Sequence, residues 1–136
     1  MARKPRILLA ARKVARQPFL EALGAEASFV EAETLDEAVS TLKSDPEIEA
    51  VCCTIYFDES RMFDLVRWVR SNRQQIRVIC ARALPKDLPT ISLQAVGIAT
   101  ASLGAAFVDF PELVRKLGAQ AAVQALRSAV LDPAGP

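Results

Sequence analysis

Residues 48–57 read Ile48-Glu49-Ala50-Val51-Cys52-Cys53-Thr54-Ile55-Tyr56-Phe57, and from Ala50 onward the run is almost continuously apolar. A strand with one wet face would alternate apolar and polar side chains, and an amphipathic helix would space them three and four apart. This run does neither. It fits a strand covered on both faces, as the strands of parallel sheets are.

Working outward from it, shorter β-like runs at Ile7–Ala10, Ala27–Ala32, Arg77–Ala81 and Ala106–Phe110 alternate with helical patterns. Pro18 suits the first turn of a helix that carries Phe19, Leu20 and Leu23 inward and is capped by Gly24. Thr34 and Glu37 have capping-box spacing. The helix they open puts Leu35, Ala38, Val39 and Leu42 on one face, and Asp45-Pro46 ends it. Residues 61–71 form a helix with Met62, Leu65, Val66 and Val69 inward, and with Arg67, Arg70 and Arg73 in water. Pro85 and Pro89 bracket a loop before an uncharged helix over 91–103. Pro111 opens a last helix with Leu113, Val114, Leu117 and Ala121 inward, running through Leu126 to about Val130. Five strands alternating with five helices predict an α/β fold. It is a single-domain three-layer αβα sandwich, over residues 1–131, around a five-stranded parallel sheet. Residues 132–136 are expected to be a frayed tail.

Composition narrows the function. In 136 residues, 17 Lys and Arg against 16 Asp and Glu leave a formal charge of +1, so bulk attraction to nucleic acid or an anionic membrane is not expected. The chain contains no His. That removes the usual catalytic base, the Ser-His and Cys-His nucleophile pairs, and the commonest zinc ligand. The three cysteines, Cys52, Cys53 and Cys80, sit in apolar runs. Neighbours in a strand point to opposite faces, so they suit core positions in a reducing cytoplasm better than a metal site or a disulfide framework. A thiol enzyme is disfavoured for the same reasons, because no His is present to activate a thiol. The stretch from Thr90 to Val108 is uncharged but full of Ala, Gly, Ser, Thr and Gln, and Leu103-Gly104-Ala105 reads as a helix stop. It is read as a helix and a strand, not a membrane span. The five-residue apolar run after the basic N-terminus is too short for a secretory leader.

The order and spacing of several runs resemble the receiver domain of bacterial response regulators over roughly residues 5–130. They are Arg6-Ile7-Leu8-Leu9-Ala10, Gly24, Val30-Glu31-Ala32-Glu33 leading into Thr34–Ala38, Glu49-Ala50-Val51-Cys52-Cys53, and Leu103-Gly104-Ala105-Ala106-Phe107-Val108-Asp109-Phe110-Pro111. The resemblance implies a flavodoxin-like sheet of order 2-1-3-4-5. In that family two acids after the first strand hold Mg²⁺ and an Asp ending the third strand accepts phosphoryl. A Ser or Thr follows the fourth strand, and a Lys precedes a Pro after the fifth. Such chemistry needs carboxylate oxygens for a hard cation, and that cation to neutralise the phosphoryl group.

In this sequence the acidic pair falls on Ala11 and Arg12, and the acceptor on Thr54. The hydroxyl position falls near Arg82, and the Lys on Phe110 before Pro111. Two neutral groups and one cation replace three carboxylates, moving the pocket's formal charge from about −3 to about +1. Neither metal nor cofactor is expected, and Asp58 is the nearest surrogate acceptor, on a solvent-facing turn. The resemblance implies a non-phosphorylatable signalling module of a bacterial two-component or related system. It would act by contact with a histidine kinase, an output protein or itself, as a homodimer. The face expected for that contact carries Ile91, Gln94, Ile98, Ser102 and Phe110, with Trp68 a further anchor. The alternative is a sensor of a small anion, such as a nucleotide or phosphometabolite, using Arg12, Lys13, Arg16, Arg82 and Lys86 at the carboxyl edge of the sheet.

Overall fold

Side chains along residues 50–53 alternate between two separate cores, which is why the sequence there shows no polar face. Val51 and Cys53 join one core with Leu8, Leu65, Val66 and Val69, whereas Ala50 and Cys52 join the other with Ile7, Leu9, Phe19 and Leu126. Each fully buried Leu, Ile or Phe contributes about 1.5–3 kcal/mol relative to exposure.

A computed structural model of the chain describes residues 4–87 and 92–131. The strands are β1 (Arg6–Ala10), β2 (Ser28–Ala32), β3 (Ile48–Thr54), β4 (Arg77–Arg82) and β5 (Ala106–Asp109). They form one parallel sheet in the order β2-β1-β3-β4-β5. The helices are α1 (Gln17–Leu23), α2 (Leu35–Ser44), α3 (Met62–Asn72), α4 (Leu93–Ser102), α5 (Phe110–Leu117) and α6 (Ala119–Leu131). A 3₁₀ turn at Lys13–Ala15 precedes α1. Helices α2, α3 and α4 cover one face of the sheet, and α1, α5 and α6 the other. The α/β single-domain sandwich and its strand order are as expected.

The capping box is present: Thr34 Oγ1 accepts from Glu37 N at 3.1 Å while Glu37 accepts from Thr34 N. β3 ends at Thr54, three residues short of the expected end, because Phe57 N turns back to donate to Thr54 O. Asp58, Glu59 and Ser60 then take left-handed φ angles of 45°, 56° and 75°. The expected single last helix is two helices. Gly118, at φ 86°, ends α5 with its N–H on Val114 O, and α6 restarts in a new phase. Leu117 is therefore 54% exposed and Ala121 exposed, while Ala122, Leu126 and Val130 are buried instead. Leu20, expected inward, lies at the surface of α1. Arg73 leaves the solvent face of α3 and reaches the carbonyls of Leu42, Asp45, Pro46 and Ile48. Ile91 and the tail 132–136 lie outside the described residues. Among the described residues no helix is long and apolar enough to cross a membrane.

Candidate functional site

The carboxyl ends of β1, β3, β4 and β5 meet at one edge of the sheet, the edge at which open α/β sheets bind ligands. Arg82 and Asp109 are direct register partners on β4 and β5. Their parallel pairing sets Arg82 Nη1 2.8 Å from Asp109 Oδ1, with the two side chains only 10% and 18% exposed. Arg82 also donates to the carbonyls of Asp87, at 2.9 Å, and Pro85, at 2.6 Å, so it folds the loop after β4 back over the strand end. That fold buries Asp87. Both of its carboxylate oxygens accept from Arg12 Nη2 at 2.7 Å, and the Arg12 guanidinium carbon lies 5.8 Å from the centre of the Tyr56 ring. Asp109 does a second job: it is the N-cap of α5, accepting from Glu112 N at 3.3 Å.

The other cations are engaged as well. Arg16 is buried and donates to Ala11 O and to Glu31 Oε1, with Glu33 3.7 Å away. Lys13 lies 3.9 Å from Glu33 at an exposed position, and Lys86 is exposed. Asp58 is half-buried, not in open solvent, and its Oδ2 accepts from Leu35 N at 2.7 Å at the start of α2. Thr54 is 1% exposed, and its Oγ1 has no hydrogen-bond partner among the described residues. Burial raises the thiols of Cys52 and Cys80 to about 12 and that of Cys53 well above its ordinary value, so none is a ready nucleophile.

No family model matches the chain, and no curated protein matches it. Solved structures do. The signal receiver domain of an HD domain-containing protein from Pseudomonas fluorescens Pf-5 superimposes with a TM-score of 0.67 at 19% identity, covering 93% of this chain and 94% of that one. A response regulator from Thermotoga maritima gives 0.65 at 17% identity, covering 93% and 99%. An orphan response regulator of H. pylori gives 0.64 at 14%, covering 92% and 95%. The fold is the receiver fold.

On that fold, Ala11 and Arg12 follow the end of β1, Thr54 ends β3 and Arg82 ends β4, all at the carboxyl edge of the sheet. Phe110 sits in the first turn of α5 and packs toward the α1–α6 layer. It is therefore separated by the sheet from α4, whose Val96 packs in the opposite layer, and it does not extend the α4 face. That face is open and not deeply buried: Gln94 and Ser102 are exposed and Ile98 is 64% exposed. Trp68 is half-buried against the α2–α3 core.

The residues missed from sequence are the carboxylates. Asp87 and Asp109 offset Arg12 and Arg82, so the excess positive charge expected here is balanced by two anions. Asp109 had a local signal, since Asp109-Phe110-Pro111-Glu112 is a helix-start pattern with the acidic residue three positions on. Asp87 had none, because its partner is 75 residues away.

Proposed function

We propose that this chain is a receiver-fold module of a bacterial two-component or related signalling system that works by protein contact and does not accept phosphoryl groups. The observation that carries the reading is the Arg12 guanidinium, held by both oxygens of Asp87 where the family's metal-binding acids are expected. With Asp87 committed to Arg12 and Asp109 to Arg82, the carboxylate oxygens a divalent ion would need at this edge are already taken by guanidinium groups. The acceptor position adds to this, because a neutral, buried threonine hydroxyl is a poor substitute for a carboxylate. Asp58, the nearest acid in the loop, is engaged at the start of α2.

The test is incubation with acetyl phosphate, and separately with beryllofluoride, in the presence of Mg²⁺, read by intact mass and by the fluorescence of Trp68. No stoichiometric adduct is expected. Uptake that disappears on Thr54→Val or Asp58→Asn would overturn the reading. The anion-sensor alternative is weaker because Arg12, Arg16 and Arg82 already donate to carboxylates. It would regain ground if a nucleotide or phosphorylated metabolite stabilised the chain saturably, and if Arg12→Ala and Arg82→Ala abolished that stabilisation.

A further inference from the structure

Cys53 and Cys80 lie directly opposite each other, as register partners in the parallel pairing of β3 with β4. Both side chains enter the core that holds Leu8, Leu65, Val66 and Val69, and both are 0% exposed. Cys52 is on the other side of the sheet, opposite Ile79 and packed in the α1–α6 layer. All three are free thiols. Neighbouring strands run about 4.7–4.9 Å apart, and a disulfide takes Cα atoms about 4.4–6.8 Å apart whose Cβ bonds point to the same side. Register partners on one face satisfy both conditions, whereas Cys52 and Cys80 fail the second. An S–S bond draws two sulfurs together, so it asks for no volume that the closed core lacks. Its Cβ atoms sit about 3.8 Å apart, which pulls the strands slightly inward and makes such a bond easy to reduce. Burial raises both thiols and keeps them protonated in the folded chain, so exchange starts when β3 and β4 open.

We propose that Cys53 and Cys80 form a reversible dithiol–disulfide site whose oxidant is a low-molecular-weight disulfide such as oxidised glutathione. In the open chain one cysteine loses its proton to solvent, and its thiolate attacks a sulfur of that disulfide. One glutathione thiolate leaves and a mixed disulfide remains. A position of 0% exposure has no room for the attached tripeptide, so the adduct cannot enter the native core. The thiolate of the second cysteine then attacks the protein-side sulfur, expels the other glutathione and forms the Cys53–Cys80 bond, which the native register accommodates. Two protein thiols are oxidised and one disulfide is reduced to two thiols. Closure of the fold thus selects this bond over adducts and over any pairing with Cys52. The bond joins β3 at the residue before Thr54 to β4 two residues before Arg82, so it ties together the strand ends that build the carboxyl edge. It stands whether or not that edge accepts phosphoryl.

The test incubates the full chain with oxidised glutathione in urea just below the unfolding midpoint, then dilutes the urea away. Iodoacetamide labelling of a parallel sample establishes that the thiols open under those conditions. The expected product is a monomer lighter by two hydrogens, with peptide mapping that links Cys53 to Cys80. Its urea midpoint should rise by about 0.5 M or more, at least about a tenfold gain in the folding equilibrium. Dithiothreitol should reverse both changes. Cys52→Ala should give the same product, whereas Cys53→Ala and Cys80→Ala should give no stabilised product. Persistent glutathione adducts, a bond to Cys52 as the main product, or a disulfide between two chains would overturn the proposal. So would thiols that iodoacetamide labels but glutathione leaves reduced, or an oxidised chain whose midpoint is no higher than that of the reduced one.

Discussion

Replacing Arg82 by Met and Asp109 by Leu, singly and together, separates the cost of breaking the buried ion pair from the value of having it. At 2.8 Å and an effective dielectric of 20 the direct attraction is about 6 kcal/mol. Desolvation of two ions at 10% and 18% exposure offsets several kcal/mol for each. The net value of the pair is therefore small, while the cost of orphaning one partner is large. Asp109→Leu leaves Arg82 with only the carbonyls of Asp87 and Pro85 and removes the α5 N-cap. A loss of about 3–4 kcal/mol is expected, about 1 of it from the cap. Arg82→Met leaves Asp109 the Glu112 N–H and some water, and the expected loss is about 2–3 kcal/mol. The double variant buries no charge and keeps only the cap loss and minor repacking, so it should lie within about 1–2 kcal/mol of the parent. Urea unfolding at neutral pH gives all four stabilities from the midpoints, provided the m-value is constant across the cycle. The expected coupling is at least about 2 kcal/mol. Single losses that add to the double within about 0.5 kcal/mol would refute the idea that Arg82 and Asp109 act as one unit.

Ser60 holds a φ of 75° in an exposed loop. Ser60→Gly should therefore stabilise the chain by up to about 1 kcal/mol by relieving left-handed strain, as read by urea midpoint, and a destabilised variant would contradict this. The thiols of Cys52 and Cys80 are raised to about 12 in the folded chain, from 9.0. A group whose folded value is raised contributes stability that is fully present below its unfolded value and is lost as pH rises toward the folded one. Stability should accordingly fall above about pH 9, by about 1.4 kcal/mol per pH unit for each thiol. Cys80→Ala should flatten that slope by about one proton, and an unchanged slope would deny that the burial of Cys80 sets it. In native buffer near pH 8 the same thiols should react with iodoacetamide only as fast as the chain opens.

Local patterns carried much of the architecture. Thr34 and Glu37 are three residues apart and satisfy each other's backbone, so a sequence window contains the whole interaction. Ala50–Thr54 betrayed its double burial because both faces of a parallel strand must be apolar. A helical period run unbroken through Gly118 misplaces Leu117 and Ala121, because the positive φ there resets the phase. Arg73 looked like a solvated helix position because a helical wheel contains no information about the carbonyls of Leu42 and Ile48 arriving from other elements. The candidate site was half legible for the same reason. Its strand-end positions follow from chain order, but its pairings span 27 residues from Arg82 to Asp109 and 75 from Arg12 to Asp87. Nothing local to a cation encodes which distant carboxylate will meet it.

Those long-range pairs change where recognition is physically cheap. A partner approaching the carboxyl edge would have to compete with Asp87 for Arg12 and with Asp109 for Arg82, and breaking the buried Arg82–Asp109 pair costs several kcal/mol before any new contact forms. The paired charges also bind four segments to one another: the turn after β1, the end of β4, the loop after it, and the start of α5. That edge is thereby held in one arrangement. At the opposite edge Arg73 and Arg77 donate to main-chain carbonyls, and Asp45, itself paired with Arg6, lies in the field of Arg73. Two ends of one sheet, built from the same few residue types, thus hold their arginines differently. The difference lies in whether arginine meets a carboxylate or a carbonyl.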